Sequence, residues 1–412
     1  MPRNVSLRPR VTPLTLVLAA SVALVLVVGV SVLLPDGQSR EDGALSPVTD
    51  QYAATTGAPG RGSITPEARA EIDRVLAAAP DRTLARATAG AQAAELVRCA
   101  EFEGQQYCLG RGWTETPETE LRSATATDTV ARRAAAGSTE TTGDLADADL
   151  LAQRAAMAPA ERADAERAEL EAAARSVAKV VLLRHQLLGE PLPDGFLQRH
   201  PEARASGTEV TAAREASRPK RMRDYPQRST VMSTKRVKAQ VRTYWCGPAT
   251  MQMIAWGWSG DKRKQKHWAR RLGTTTSGSA ISEMVRVVNQ DTGWDRNDRA
   301  GDYIVLDISG WSFKQWMLLQ MRHVKDYRAP LVLHPILLKR FYPYLDDDAS
   351  GHFQAGRGYD KNGKRPGDIS YFEPWNQQRF DRSEPYIDRV QWRSAYKSFR
   401  ANKAHPHQNI GV

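Results

Sequence analysis

Gly247 and Pro248, directly behind Cys246 and directly ahead of the apolar run Ala249 to Trp258, fix a helix start at a thiol. Proline is tolerated in the first helical turn, where its missing N–H has no intrahelical partner. Cys246 therefore stands at or beside the N-cap. The unpaired amides and the positive end of the helix dipole there favour thiolate over thiol, which predicts a lowered pKa and a nucleophile. Free cysteines are also among the residues most often buried as small hydrophobes, so the placement gains its meaning from residues elsewhere in the chain.

Two strand-like runs supply those residues. Gly351, His352, Phe353 and Gln354 lead toward Tyr359, and Ile369 to Phe372 lead into Glu373, Pro374, Trp375 and Asn376. Between them Asn362-Gly363 is a two-residue hairpin signal. A tight turn there sets His352 opposite Glu373, and directly opposed side chains lie roughly 5 Å apart at Cβ. Pro366 and Gly367 interrupt the return strand, and a bulge would shift the partner, which keeps Asn376 as an alternative orienter.

The chemistry asked of these residues is nucleophilic. A thiolate attacks, an imidazole raises its population and later protonates the leaving amine, and a third group fixes the ring's tautomer and orientation. Gln240, upstream of Cys246, would add a side-chain amide to the Cys246 backbone N–H as donors to a developing oxyanion. Removing one such donor typically costs about 100 to 1000-fold in rate.

The run Tyr244-Trp245-Cys246-Gly247-Pro248-Ala249, with Gln240 before it and Gly351-His352-Phe353 after it, resembles the bacteriocin-processing cysteine peptidase family, a branch of the papain-like superfamily. The chain is similar to its stand-alone C39-like relatives, over roughly residues 230 to 400. The resemblance implies that Gln240 serves the oxyanion hole, Cys246 attacks, His352 is the base and Glu373 orients it. Glu373 departs from the family, which has Asp before Pro at that place. Nothing resembles the transporter and ATPase segments fused to many relatives, so a role in leader-peptide export is not implied.

Other histidines read differently. His334 ends an apolar strand, His267 lies in a Lys- and Arg-rich helix, and His323, His405 and His407 have no strand context that brings them to the thiol. No pair of histidines shows metal-ligand spacing with an acid or Cys nearby, so no metal and no cofactor is expected. Asp346-Asp347-Asp348 reads as an exposed loop more than a calcium site.

Arg3, Arg8 and Arg10 precede an uncharged apolar stretch from Val11 to Leu34, which predicts export. A cleaved signal peptide and a retained single-span anchor over residues 1–35 both fit. Cys99 and Cys108, around a hairpin turning at Glu103-Gly104, then read as a disulfide, leaving Cys246 as the free thiol.

Composition divides the remainder. Nine of the ten tryptophans lie between Trp245 and Trp392. The segment from 230 onward carries a net charge of roughly +13, against about −5 for 36–229. The expected organisation is a linker over 36–62, a mainly helical region over 63–200, a basic linker over 201–229 and a peptidase domain over 230–412. Helices are expected from Pro66 to Ala79, capped by Thr65, and from Ala158 to Leu188, ending at Gly189. The first region reads as a propeptide over the cleft or as a partner-binding module. The basic second half suits anionic wall polymers, a membrane surface or acidic peptides, and no nucleic-acid module is present.

The expected fold is α+β and papain-like, with the nucleophile helix against an antiparallel sheet. The expected activity is hydrolysis of a peptide bond in a peptide or protein substrate, through an acyl-enzyme and outside the cell or on the outer face of the membrane. A silent peptide-binding module and an acyltransferase are the alternatives on the same scaffold.

Overall fold

Helix starts and stops follow local chemistry. Thr65 accepts a hydrogen bond from Ala68 N at 3.1 Å, and Pro66 opens the first turn of α1 (Pro66–Ala77). Thr88 caps α2 (Ala89–Leu96) in the same way. Glu103 and Gly104, at φ 50° and 73°, form the tight turn between β1 (Cys99–Phe102) and β2 (Gln105–Cys108). Cys99 faces Cys108 in that hairpin and the two form the expected disulfide. β3 (Gly112–Trp113), α3 (Glu118–Ala135) and α4 (Asp147–Ala156) follow. The long α5 (Pro159–Leu188) starts at a proline and stops at Gly189 in the left-handed region, φ 86°. α6 (Phe196–Arg199) is a single turn.

The remaining elements are β4 (Arg228–Thr230), α7 (Cys246–Ile254), α8 (Gln265–Arg271), α9 (Ile281–Asp291), β5 (Val305–Asp307), α10 (Phe313–Lys325), β6 (Leu331–Leu333), β7 (Gln354–Asp360), β8 (Asp368–Phe372), β9 (Val390–Ser394), α11 (Ala395–Ala404) and β10 (Asn409–Gly411). This computed structural model describes residues 63–135, 142–203, 220–292, 302–362, 367–375, 379–380 and 386–412, all within one compact unit. Among the described residues no helix is long and apolar enough to cross a membrane, and the apolar stretch 11–34 lies outside them.

Ten strands form one sheet in the order β1-β2-β3-β5-β10-β6-β7-β8-β9, with β4 pairing β7 off that path. Every pair is antiparallel except β3 with β5, which run parallel where Trp113 meets Leu306. An antiparallel-dominated sheet with helices packed on it is the α+β arrangement expected. Residues on both sides of the basic stretch share this sheet and one hydrophobic core, in which Trp113, Val180, Leu306 and Trp316 are all buried.

The β7–β8 hairpin differs from its expected register. Ala355 faces Phe372 and Gly356 faces Tyr371, two positions further along than a tight turn at Asn362-Gly363 predicts. The register shifts between Gly356 and Gly358, and near the turn Asp360 faces Asp368, so the connection is wider than two residues. Residues 363–366 lie outside the described residues.

Candidate active site

Trp245 is the N-cap of α7 and Cys246 its first residue, as the Gly-Pro pair predicts. From the next turn of that helix, Thr250 Oγ1 donates to the Phe353 carbonyl at 3.0 Å. This contact holds the Cys246 helix against the segment entering β7, beside His352. The His352 backbone N–H is fixed in turn by the Pro335 carbonyl at 2.9 Å.

His352 Nε2 lies 2.6 Å from Glu373 Oε1, with both side chains fully buried. Its ring stands edge-on to Trp375, centroids 6.0 Å apart. The other ring nitrogen, Nδ1, is buried without a hydrogen-bond partner. Glu373 is the most heavily bonded group in the site. Oε1 also accepts from Trp375 N at 2.9 Å, and Oε2 accepts from Tyr344 Oη and Gln354 Nε2, each at 2.8 Å. Burial alone would push this carboxyl up, but the facing His352 and these donors hold it below the usual carboxylate range. An acid so placed stays ionised and fixes the ring that faces it. Asn376, the alternative orienter, lies outside the described residues.

Gln240 departs from its expected part. Its Nε2 donates to the carbonyls of Arg242 (3.1 Å) and Thr243 (2.7 Å), so both amide hydrogens brace the turn that delivers Cys246. Gln240 N also donates to the Pro374 carbonyl at 2.8 Å, tying this turn to the residue after Glu373.

The thiol also departs from expectation. Cys246 is fully buried, and burial pushes its pKa well above the ordinary thiol value. The Phe353 and Gly247 amides pull the other way, while Asp144 and Glu373 add to the rise. The helix start favours thiolate, as the sequence implies, but desolvation and two carboxylates outweigh it here.

A segment from the first half of the chain lies against the start of this helix. The Thr142 carbonyl accepts from Cys246 N at 3.3 Å, and Thr142 N donates to Ser350 Oγ at 3.1 Å. Thr142 Oγ1 donates to the Gly351 carbonyl. The segment then makes an isolated parallel bridge with the loop before α9: Ser279 N donates to Gly143 O and Leu145 N to Ser279 O, both at 2.9 Å. Gly143 has φ 102°, and a Cβ there would lie 2.1 Å from the Tyr244 carbonyl oxygen, so only glycine fits.

The next residue, Asp144, enters a pocket of imidazoles formed by histidines that carry no metal-ligand spacing signal in the sequence. Oδ1 meets His334 Nε2 at 2.8 Å and Oδ2 meets His405 Nε2 at 2.9 Å. His334 Nδ1 meets Asn409 Oδ1 at 2.7 Å, and its ring stacks on Phe353 with centroids 4.6 Å apart. Burial pushes the Asp144 carboxyl up, but His334 and His405 hold it well below the usual range. Ligand atoms of Asp144, His334, His405 and His407 all lie within 4.8 Å of one another, close enough to surround a metal ion. The hydrogen bonds fit a carboxylate better. His407 N donates to His405 Nδ1 at 3.0 Å, so the proton of that ring sits on Nε2 and is given to Asp144. A nitrogen carrying a proton is not a metal donor.

Residues 227–403 match the model of the Peptidase_C39 like family. The match supports a C39-like peptidase domain over that stretch, and with it a cysteine peptidase-like activity on peptides or proteins. No curated protein and no solved structure matches the chain.

Proposed function

We propose that the chain is an exported cysteine peptidase in which Cys246 is the nucleophile, His352 the base and Glu373 the group that orients it. The observation that carries this reading is the buried His352–Glu373 pair, 2.6 Å apart at Nε2 and Oε1, with His352 Nδ1 left unpartnered next to the segment held against the Cys246 helix. The Cys246 sulfur attacks the substrate carbonyl carbon as its proton passes to His352 Nδ1. The Cys246 N–H, at the start of α7, stabilises the oxyanion. As the tetrahedral adduct collapses, the C–N bond breaks and His352 returns the proton to the leaving amine, leaving a thioester. Water, deprotonated by His352, attacks the thioester, the C–S bond breaks, and the acid and the thiol are released. Glu373 remains a carboxylate throughout and stabilises the imidazolium.

Export is supported by the arginines and apolar stretch of residues 1–35 and by the Cys99–Cys108 disulfide, a bond that persists in oxidising compartments. A proteome-wide search for new N-termini tests the activity. Wild type should create cleavage products that are missing with Cys246→Ala and with His352→Ala, and sharply reduced with Glu373→Gln. Identical N-termini from wild type and Cys246→Ala would refute the peptidase.

A further inference from the structure

We infer that the pocket formed by His334, His405 and His407 is a substrate subsite for an acidic side chain, and that residues 142–145 are an internal pseudosubstrate whose Asp144 fills it. The inference rests on the peptidase reading for the purpose of the groove.

Three observations converge. First, the segment is held as a bound peptide is held. Backbone hydrogen bonds to Ser279 on one side and to Cys246 N on the other supply contacts independent of sequence, and one side chain enters a pocket. Second, the pocket is built for a carboxylate. It offers one imidazole to each oxygen of Asp144 and is closed by Asn409 and Phe353, with His334 and His405 fully buried. Third, the pocket adjoins the chemistry. His334 stacks on Phe353, the residue after His352, and the residue before Gly143 places its carbonyl on the nucleophile's own amide. Asp144 lies outside the stretch that matches the peptidase family, whereas His334, Ser279, Cys246 and His352 lie inside it. His405, His407 and Asn409 follow directly after that stretch, so the second half of the chain supplies the pocket and the first half supplies the ligand.

Two consequences follow for recognition. A substrate chain that replaces the segment finds an acid-selective pocket, and the position equivalent to Gly143 passes a gap in which a Cβ would collide with Tyr244. Peptides carrying Gly-Asp are the class that fits, and the free groove prefers Asp over Asn because the isosteric amide would present N–H to the proton on His405 Nε2 or lose the charge facing His334.

Alkylation of the Cys246 sulfur by iodoacetamide near neutral pH tests this on the full chain, because labelling requires access to sulfur and not hydrolysis. Asp144→Asn and Gly143→Val should each be labelled about tenfold faster than wild type or more, since the first weakens the tie to the imidazoles and the second drives a Cβ into the Tyr244 backbone. Gly143→Val leaves every pocket side chain in place, and a thermal melt of each variant identifies the folded ones to be compared. Acetyl-Thr-Gly-Asp-Leu-amide added to folded Asp144→Asn should slow labelling back toward the wild-type rate, and the Thr-Gly-Asn-Leu analogue should not. Wild-type labelling rates in the folded variants, or equal protection by the two peptides, would overturn the inference. A chain that behaves as expected here but generates no new N-termini would instead overturn the peptidase reading alone.

Discussion

Glu373 faces Gln354 across the β7–β8 hairpin and takes its amide at 2.8 Å, while the same carboxylate reaches back to His352 at 2.6 Å. The acid is therefore shared between the first residue of β7 and the imidazole, with Tyr344 and the Trp375 amide completing its four bonds. Removing a fully buried carboxylate takes the acceptor from four donors, of which Tyr344 alone keeps a second neighbour, the Tyr371 hydroxyl at 3.4 Å. Glu373→Ala should destabilise the fold by about 3–5 kcal/mol, the usual cost of breaking a buried charged pair. A lower urea midpoint with an unchanged slope is the expected result, and an unchanged midpoint would mean that the donors are satisfied elsewhere.

Acid should weaken the protein before it reaches the carboxylate range. Burial first, and then the neighbouring His334, push His405 down from 6.5 to about 3, despite the opposing pull of Asp144. Below pH 6.5 the unfolded chain binds a proton at this position that the folded chain refuses, so stability falls as pH drops toward 3. At pH 5 this group alone should cost roughly 2 kcal/mol. Buried His323, also held well below its ordinary value, acts in the same direction. Asp144, whose folded pKa is depressed, contributes stability that is lost only as pH falls below about 3.8. Urea midpoints at pH 7 and pH 5 check the first window, and equal midpoints would show that His405 is not buried neutral.

Lys179, on α5, is buried with its ammonium 5.0 Å from the Tyr303 ring centroid and without a hydrogen-bond partner. Burial brings its pKa down from 10.5 to about 7, with Asp302 opposing. A depressed folded value means that stability falls as pH falls from 10.5 toward 7. Lys179→Met keeps the stem and removes the buried charge, so it should stabilise the protein by about 2 kcal/mol at neutral pH and flatten the alkaline side of the profile. Melting temperatures of both proteins at pH 7 and pH 10 measure the effect, and a lower melting point for Lys179→Met at pH 7 would contradict it.

The Cys99–Cys108 disulfide closes a short loop, with a sequence separation of 9. Chain entropy then sets its contribution at about 2–3 kcal/mol. The double change Cys99→Ser and Cys108→Ser should lower the melting temperature accordingly, while labelling of Cys246 remains slow in the folded protein.

Local chemistry was legible and distant contact was not. Thr65-Pro66, Pro159, Gly189 and Glu103-Gly104 announce their helix ends and turn because each acts on the backbone within a few residues. The Gly-Pro pair marks the start of the Cys246 helix for the same reason. The hairpin register departs from the tight-turn expectation because a shift at Gly356/Gly358 and a wider connection are not written in the Asn-Gly signal. The thiol's pKa departs from the expectation because the helix start is a local property, whereas the burial and the carboxylates of Asp144 and Glu373 that outweigh it come from packing. His334 and the pair His405 and His407 carry no signal of their joint pocket, since Asp144 arrives from a remote part of the chain.

The parallel pairing of Trp113 with Leu306 has a mechanical consequence. The N-terminal hairpin is stitched into the sheet through β3, so a nick in the polypeptide between the two halves would not set the first one free. Both fragments would co-migrate under native conditions and part only in denaturant. Stripping the first half away would bare β5 as an unprotected edge, inviting a neighbouring molecule to add its own strand.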